Sequence, residues 1–353
     1  MTPALPASAA RPRRTRQGRR RAALTQTDSR RALILGITGQ DGAYLADLLL
    51  RQGFEVHGTS RDKDSANIST MRALGIRDRV TLHSTQLGDF RSVVTTLKNI
   101  QPRYIYNLAA QSSVGLSFEQ PVETIDSIMH GTINVLEAIR FLALDARFYN
   151  AASSECFGNT GVRPADETTE FRPRSPYAVG KAASFWAVAN YREAYGLFAC
   201  SGVLFNHESP FRPTRFVTQK IVRGATDVAE GRLPVLELGA LDLSRDWGWA
   251  AEYVEAMRRM LDHPQPEDFV IATGETHSLT EFVASCFACY DLDWENHVVV
   301  SEALRRPSDI VYSSGNPQKA ATHLNWSATI RMPRLVELLV EAEQTRRRTE
   351  QDL

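Results

Sequence analysis

Short β-rich runs alternate with longer helix-like segments from Arg31 onward, and this alternation limits the chain to few folds. RALILG precedes the amphipathic GAYLADLLLRQG, and the runs FEVHGTS, RVTLHS, RYIYNLA and RFYNAA follow with helical patterns between most of them. Such alternation predicts βαβ units and therefore a parallel sheet with helices on both faces. Ligands of open parallel sheets bind beyond the carboxyl ends of the strands. We therefore expect the functional side chains directly after the strands.

Three regions are predicted along the 353 residues. Residues 1–29 hold seven Arg and the single acid Asp28, which predicts a disordered basic tail. We interpret this tail as an uncleaved or mis-started leader in preference to an arm that binds an acidic partner. Residues 31–200 are predicted to form a Rossmann-like, doubly wound α/β domain that binds the cofactor. The alternation loosens in residues 201–347, which predicts a smaller C-terminal substrate-binding lobe with some segments that return to the first domain.

Composition narrows the functional class. The chain has 41 basic and 41 acidic residues, and it has no run near the ~20 apolar residues that a membrane span needs. We expect a soluble, cytoplasmic protein with no membrane contact, and the tail lacks the aromatic residues that would favour nucleic acid. Four Cys do not make a disulfide framework, and Cys286 and Cys289 lack partners for a zinc site. Both are predicted to be buried, inert thiols, and no metal is expected.

A glycine-rich turn follows the first predicted strand. Gly36, Gly39 and Gly42 form a GxxGxxG run before an amphipathic helix, the arrangement in which the backbone and the helix N-terminus hold a dinucleotide pyrophosphate. Arg61 follows the second predicted strand, where NAD-selective sites usually place an acid that binds the ribose 2′-hydroxyl. A cation there favours the 2′-phosphate of NADP, although Asp62 adjoins it.

Tyr177 and Lys181 are four residues apart on a predicted helix, so both project from one face. The nearby ammonium should lower the pKa of Tyr177 below its reference value of about 10 and make it a base for a hydroxyl proton. Ser153, Ser154 and Glu155 end the strand RFYNAA. A simple dehydrogenase or epimerase needs no carboxylate there, whereas elimination of water needs a further acid or base.

These residues belong to a longer series of motifs: GITGQDGAYL, EVHG, YNLAAQSSVGLSFEQP, SSECFG, PRSPYAVGK, NYREAYG, LFNHESP, FVTQKI, RDWG, EDFVIATG and RRPSD. In their order and spacing the chain, from about Arg31 to Leu339, resembles the GDP-mannose 4,6-dehydratases, which are extended short-chain dehydrogenases/reductases. The resemblance implies that Ser153, Glu155, Tyr177 and Lys181 are catalytic.

The resemblance also implies the binding residues. NADP would contact Gly36, Thr38, Gly39, Gln40, Asp41, Gly42, Arg61, Leu108, Ala109, Gln111, Ser112, Tyr177, Lys181, His207 and Arg212. The nucleotide-diphosphate sugar would contact Ser113, Ser154, Glu155, Asn206, Lys220, Arg245 and Arg306. The Arg residues suit bidentate binding of a diphosphate. A homodimer or homotetramer is implied, and the apolar patterns near 127–142 and 182–195 would serve either subunit pairing or packing on the sheet.

The implied reaction is dehydration of a GDP-sugar, by default GDP-mannose, to its 4-keto-6-deoxy derivative. GDP-heptose and GDP-N-acetylglucosamine remain alternative substrates. A nucleotide-sugar 4-epimerase or reductase and a non-catalytic NADP-binding protein remain alternative functions.

The chain departs from the family pattern at several places. Asp62 stands where many relatives have a second Arg, Thr85-Gln86-Leu87 replaces Gly-Asp-Leu, Phe211 replaces an Arg and Trp249 replaces a His. The changes at Phe211 and Trp249 fall in the predicted substrate lobe, so we expect them to affect the sugar or the base.

Overall fold

The computed structural model describes residues 30–304 and 307–351. The predicted tail, residues 1–29, and Arg306 lie outside them. The strands are β1 Arg31–Leu35, β2 Glu55–Ser60, β3 Val80–Ser84, β4 Tyr104–Asn107, β5 Arg147–Ser153, β6 Phe198–Leu204, β7 Asn206–Glu208, β8 Leu236–Leu238, β9 Ser244–Arg245, β10 Trp247–Trp249, β11 Phe269–Ile271, β12 His277–Ser278, β13 Val298–Val300 and β14 Tyr312–Ser313.

Twelve α-helices connect these strands in the described residues. They are α1 Gln40–Arg51, α2 Ser69–Ala73, α3 Phe90–Ile100, α4 Val114–Glu119, α5 Pro121–Ile125, α6 Gly131–Phe141, α7 Pro176–Tyr195, α8 Val217–Ala229, α9 Ala250–Asp262, α10 Leu279–Ala288, α11 Gln318–His323 and α12 Met332–Gln351. A π-helical segment over Asp126–His130 joins α5 to α6, so the winding of the chain changes locally between these two helices.

The main sheet has seven parallel strands in the order β11-β6-β5-β4-β1-β2-β3. This confirms the predicted doubly wound α/β fold. The direction of winding reverses between β1 and β4, and a crevice opens at such a reversal beyond the carboxyl ends of the strands. The turns after β1 and β4 therefore border the same crevice.

Both faces of this sheet are covered, because alternate residues of a strand point to opposite sides. Ala32 and Ile34 of β1 pack with α1 and α9, whereas Leu33 and Leu35 pack with α3, α6 and α7. The strands read as nearly continuous apolar runs for this reason.

The second lobe has its own apolar core between α8, α10 and α12, which includes Ile221, Phe282 and Leu335. Its strands form three small sheets, β7–β10, β8–β13 and β12–β9–β14. Helix α9 and strand β11 instead pack with the main sheet. The two lobes are thus interleaved along the chain.

The cysteines differ from expectation at one position. Cys286 is buried inside α10, as predicted, but Cys289 is exposed because it follows the last residue of that helix at the surface. The prediction of two buried thiols was wrong for Cys289. None of the helices in residues 30–304 and 307–351 is long and apolar enough to cross a membrane.

Candidate active site

The glycine turn between β1 and α1 is held by close backbone contacts. Gly36 has φ +81°, and a Cβ there would lie 2.8 Å from the Cα of Ala109 in the turn after β4. A Cβ on Gly42 would lie 2.5 Å from the carbonyl oxygen of Gly36. The sequence needs glycine at both positions because any side chain would push the turn off the sheet.

The same turn fits a pyrophosphate. Gly39 precedes α1 as its N-cap residue, and no side chain caps the helix there. Gly39 therefore offers no side-chain acceptor to the first N–H groups of α1, and with the helix dipole these groups form an anion-binding end. A Cβ on Gly39 would meet only the Gly36 carbonyl oxygen, at 3.5 Å, so a phosphate can approach the backbone closely. These features suit the pyrophosphate of a dinucleotide.

A cavity of about 760 Å³ opens next to this turn. All four predicted catalytic residues line it: Ser153, Glu155, Tyr177 and Lys181. Ser153 is the last residue of β5, and its Oγ accepts a 3.3 Å hydrogen bond from the backbone N–H of Glu155. The short turn that begins at Ser154 thus presents the Glu155 carboxyl group at the carboxyl end of the sheet.

Tyr177 and Lys181 occupy the first turns of α7, which lies along β5 and β6. Ser175 caps this helix by accepting a 3.1 Å bond from the N–H of Ala178, and Pro176 occupies the first helical position. The Lys181 ammonium donates a 2.7 Å hydrogen bond to the carbonyl oxygen of Ala151 and lies 5.8 Å from the centre of the Tyr177 ring. The lysine is therefore anchored to β5 behind the phenol.

Burial changes the acid–base properties of this pair. It lowers the pKa of Lys181 to about 8 and raises the pKa of Tyr177, although a hydrogen bond with Ser153 opposes the second shift. The prediction of a pKa for Tyr177 below its reference value was wrong for the protein alone, because desolvation of the buried phenol is the largest contribution and raises the pKa.

Asp41 and His207 form an ion pair at the border of the turn and the cavity. The Nε2 atom of His207 lies 2.9 Å from Oδ2 of Asp41, and its Nδ1 atom lies 2.7 Å from the carbonyl oxygen of Phe205. Gln40 reinforces the contact, because its amide donates to Asp41 and to the His207 carbonyl oxygen while it accepts from Ser209. The cofactor turn and the segment after β6 are thereby joined.

Cations from the second lobe line the opposite wall. Arg212 pairs with the buried Glu208 at 3.2 Å and Arg245 pairs with Asp309 at 3.2 Å. Lys220 and Arg215 also line this wall, and the described part of the chain contains no ion pair of either. The wall therefore carries positive charge that suits a diphosphate.

The structure places the other predicted residues as follows. The cavity is also lined by Asp41, Leu108, Ser112, Ser113, Ser154, Asn206, His207, Arg212, Lys220 and Arg245. Gly36, Thr38, Gly39, Gln40 and Gly42 form the turn and the start of α1 beside it, with Ala109 against Gly36. Gln111 binds the Ser113 carbonyl oxygen and Thr124. Arg61 is exposed after β2, outside the cavity.

Two departures from the family pattern lie elsewhere than expected. Phe211 packs on Tyr44 of α1 with ring centres 5.4 Å apart, and Trp249 packs against the apolar core of the second lobe. Neither side chain lines the cavity. Both rings turn towards apolar neighbours, so any effect on the choice of sugar or base would be indirect, and that effect stays a prediction.

The departures at Asp62 and Thr85 form hydrogen bonds with neighbouring residues. Asp62 accepts hydrogen bonds from the hydroxyl of Ser65 and the N–H of Asp64, and these bonds lower its pKa. Thr85 is buried and bonds to Thr96 at 2.9 Å. The Asp62 carboxylate is thus held within its own turn.

Sequence reasoning missed several residues of the cavity. Glu208 and Asp309, which hold the two arginines, and Arg215 all line it. Glu208 could have been found from its position four residues before Arg212 inside LFNHESP. Asp309 is 64 residues from Arg245, and no local pattern relates the two.

A separate group of possible metal ligands lies before β11, at the opposite end of the sheet. Ligand atoms of His263, Glu267 and His323 lie within 4.8 Å of one another. The Lys319 ammonium is 2.9 Å from the Glu267 carboxylate and already balances its charge. None of these three residues lines the cavity.

Comparisons with known proteins agree with the geometry. The family model described as GDP-mannose 4,6 dehydratase matches residues 33–339. GDP-mannose 4,6 dehydratase 1 of Arabidopsis thaliana is 42% identical over 322 residues, covering 88% of this chain and 89% of that protein. GDP-mannose 4,6 dehydratase of Homo sapiens is 42% identical over 337 residues, with 88% and 91% covered.

Solved structures share the fold at lower identity. UDP-glucose 4-epimerase of Thermus thermophilus, in complex with NAD, superposes with a TM-score of 0.79 at 24% identity, covering 89% of this chain and 99% of that one. RMD of Pseudomonas aeruginosa, in complex with NADPH, superposes with a TM-score of 0.73 at 20% identity, with 90% and 98% covered.

Proposed function

Because the chain belongs to the GDP-mannose 4,6-dehydratase family, we propose that it removes water from a GDP-linked hexose, by default GDP-mannose, to give a 4-keto-6-deoxy sugar. The observation that carries the proposal is the presence of the Glu155 carboxyl group in one cavity with Ser153, Tyr177 and Lys181. A redox-neutral epimerase has no step that needs this carboxylate.

The cofactor is a nicotinamide dinucleotide, and we propose NADP. Its pyrophosphate would lie on the turn from Gly36 to Gly42 and its 2′-phosphate beside Arg61, whose neighbour Asp62 is bonded within its own turn. When bound, it would supply hydride chemistry, accepting hydride from C4 of the sugar and returning it to C6, so that no net redox change would occur.

The protein's own residues then have to move protons. Tyr177 takes the proton of the 4-hydroxyl group, with Ser153 as its hydrogen-bond partner and the Lys181 charge behind it. The resulting 4-ketone acidifies the hydrogen on C5, which Glu155 removes as a base. The hydroxyl group on C6 leaves as water with a proton supplied by Glu155 or by the Ser153 and Ser154 hydroxyls. C5 regains a proton when C6 is reduced, so two protons are taken and two are returned.

The opposite wall would hold the nucleotide diphosphate. Arg212 is already neutralised by Glu208 and Arg245 is paired with Asp309, whereas Lys220 keeps an uncompensated charge within the described residues. Fixed guanidinium groups bind phosphate oxygens in a defined geometry, and Lys220 adds net attraction. Asn206 and Ser113 line the same space and offer hydrogen bonds to the sugar.

A homo-oligomer is also proposed. Helices α5, α6 and α7 expose large apolar side chains on one side of the main sheet: Val122, Phe141, Val179 and Trp186. Exposed apolar side chains grouped on one side of a molecule commonly mark an interface. Sedimentation at several protein concentrations would distinguish a dimer or tetramer from a monomer.

The first experiment is incubation of the purified protein with GDP-mannose and, separately, a GDP-heptose and GDP-N-acetylglucosamine, followed by mass spectrometry. Loss of one water from a substrate, with no NADP consumed, is the expected result and identifies the sugar. An unchanged mass with an inverted C4 centre would establish the 4-epimerase alternative instead. Obligatory release of NADPH with each turnover would contradict the proposed scheme.

A further inference from the structure

Asp41 presents a carboxylate at the site that should hold a diphosphate. It lies in the first turn of α1, whose N-terminal N–H groups face the cofactor turn. The helix dipole favours a carboxylate there, but an uncompensated charge would repel a diphosphate bound at the same helix end. The Asp41 side chain is only 21% exposed, so solvent screens this repulsion incompletely.

His207 is built to carry a proton on each ring nitrogen. Its Nδ1 atom faces the carbonyl oxygen of Phe205 at 2.7 Å and its Nε2 atom faces the Asp41 carboxylate at 2.9 Å. A carbonyl oxygen and an ionised carboxylate can only accept hydrogen bonds, so both nitrogens must donate. The ring also stacks on Tyr253 with centres 4.7 Å apart and is 8% exposed as a residue. Its two acceptor partners therefore favour the doubly protonated imidazolium in this buried position.

The surrounding charges support this state. Burial alone would lower the pKa of His207, but the interaction with the Asp41 carboxylate outweighs burial and raises this pKa. Burial alone would raise the pKa of Asp41, but the interactions with His207 outweigh burial and lower it. Arg212 acts against the imidazolium, yet Glu208 pairs with that guanidinium. The Lys181 ammonium, on α7, interacts electrostatically with Asp41. The Tyr253 ring, on α9, stacks on the His207 ring.

We propose that the imidazolium of His207 cancels the charge of Asp41 at the cofactor-binding turn, so that retention of the cofactor depends on the proton of His207. The inference deepens the proposed function, on which it rests for the presence of a diphosphate at the turn. His207 is in this respect a positioning and charge-balancing residue. As pH rises through its raised pKa, the proton leaves, Asp41 stands uncompensated and the cofactor dissociates more readily.

A double-mutant cycle tests the inference through binding alone. NADP affinity is measured by titration calorimetry on protein stripped of cofactor, for wild type, His207→Gln, Asp41→Asn and the double variant. His207→Gln keeps a donor without the charge and should weaken binding about 5- to 150-fold. Asp41→Asn removes the repulsion, so the double variant should bind within about threefold of Asp41→Asn alone. Wild-type affinity should fall as pH rises, and that of Asp41→Asn should not.

The exposed pair His130–Asp126, four residues apart at 3.2 Å, supplies matched controls. His130→Gln and Asp126→Asn should leave affinity unchanged. The inference is wrong if the double variant binds as weakly as His207→Gln, because the loss would then come from altered shape. It is also wrong if His207→Gln binds normally. Water loss at saturating NADP is measured separately, so failure of the dehydratase proposal would show as an inactive enzyme with an intact binding cycle.

Discussion

The two walls of the cavity are held in different ways. On the sheet side, Ser153 ends β5 and Glu155 lies in the turn that follows, and Tyr177 and Lys181 lie on a helix packed along that strand. On the lobe side, an ion pair with Asp309, 64 residues further along the chain, holds Arg245 in position. Backbone geometry fixes the proposed catalytic groups, and side-chain ion pairs fix the two arginines that are proposed to bind the diphosphate. Substitutions should therefore affect chemistry on the first wall and affinity on the second.

The largest effect is expected for Glu155→Gln on the sheet side. The amide keeps the shape but cannot take the C5 proton, so turnover should fall about 10²- to 10⁴-fold. Rate measurements with GDP-mannose, alongside circular dichroism and bound NADP, would show a folded, loaded and inactive enzyme. Glu170→Gln, on the exposed loop between β5 and α7, is the control. Wild-type turnover in Glu155→Gln would remove the carboxylate from the mechanism.

Lys181 should set the alkaline limit of turnover. Its pKa is lowered to about 8, so its ammonium is lost as pH rises through that value and kcat should fall about tenfold per further pH unit. Lys181→Arg keeps its charge at every accessible pH, so the pH profile of its residual activity should lack this alkaline decrease. The profile is recorded at saturating NADP to exclude cofactor loss. The same alkaline decrease in kcat for Lys181→Arg would show that another group causes it.

A smaller effect, on affinity, is expected on the lobe side. Asp309→Asn removes the charge that holds Arg245, so KM for the GDP-sugar should rise about tenfold while kcat changes little. Lys220→Gln should give a similar rise because its charge is uncompensated within the described residues. Glu337→Gln, an exposed acid of the same lobe paired with Arg334, is the matched control. A fall in kcat with constant KM would contradict the division between the walls.

The smallest effect is expected for Phe211→Leu, outside both walls. The ring contacts Tyr44 and does not line the cavity, so its loss should lower the free energy of unfolding by about 1 kcal/mol. Urea unfolding measures this change, and relative rates on a panel of GDP-sugars should stay constant. A shift in the preferred sugar would show that Phe211 reaches the substrate after all.

The alternation of strand and helix patterns was sufficient to predict the parallel sheet, because continuous apolar runs between amphipathic helices can be buried only in that way. The strand ends then indicated Ser153 and Glu155, and the four-residue spacing indicated Tyr177 and Lys181. The glycine turn was recognisable from the GxxGxxG spacing of Gly36, Gly39 and Gly42 between a strand and a helix pattern. All of these signals are local, so the sequence carries them in full.

Only the tertiary structure decided the charges. It buried Tyr177 and so reversed the expected direction of its pKa shift, and it brought His207 to Asp41, 166 residues apart in sequence. It also paired Arg245 with Asp309 and turned Phe211 towards α1. Desolvation and long-range ion pairing depend on which distant segments meet, and no local pattern encodes that meeting. The sequence determined which groups the site contains, and the fold determined their charge and their partners.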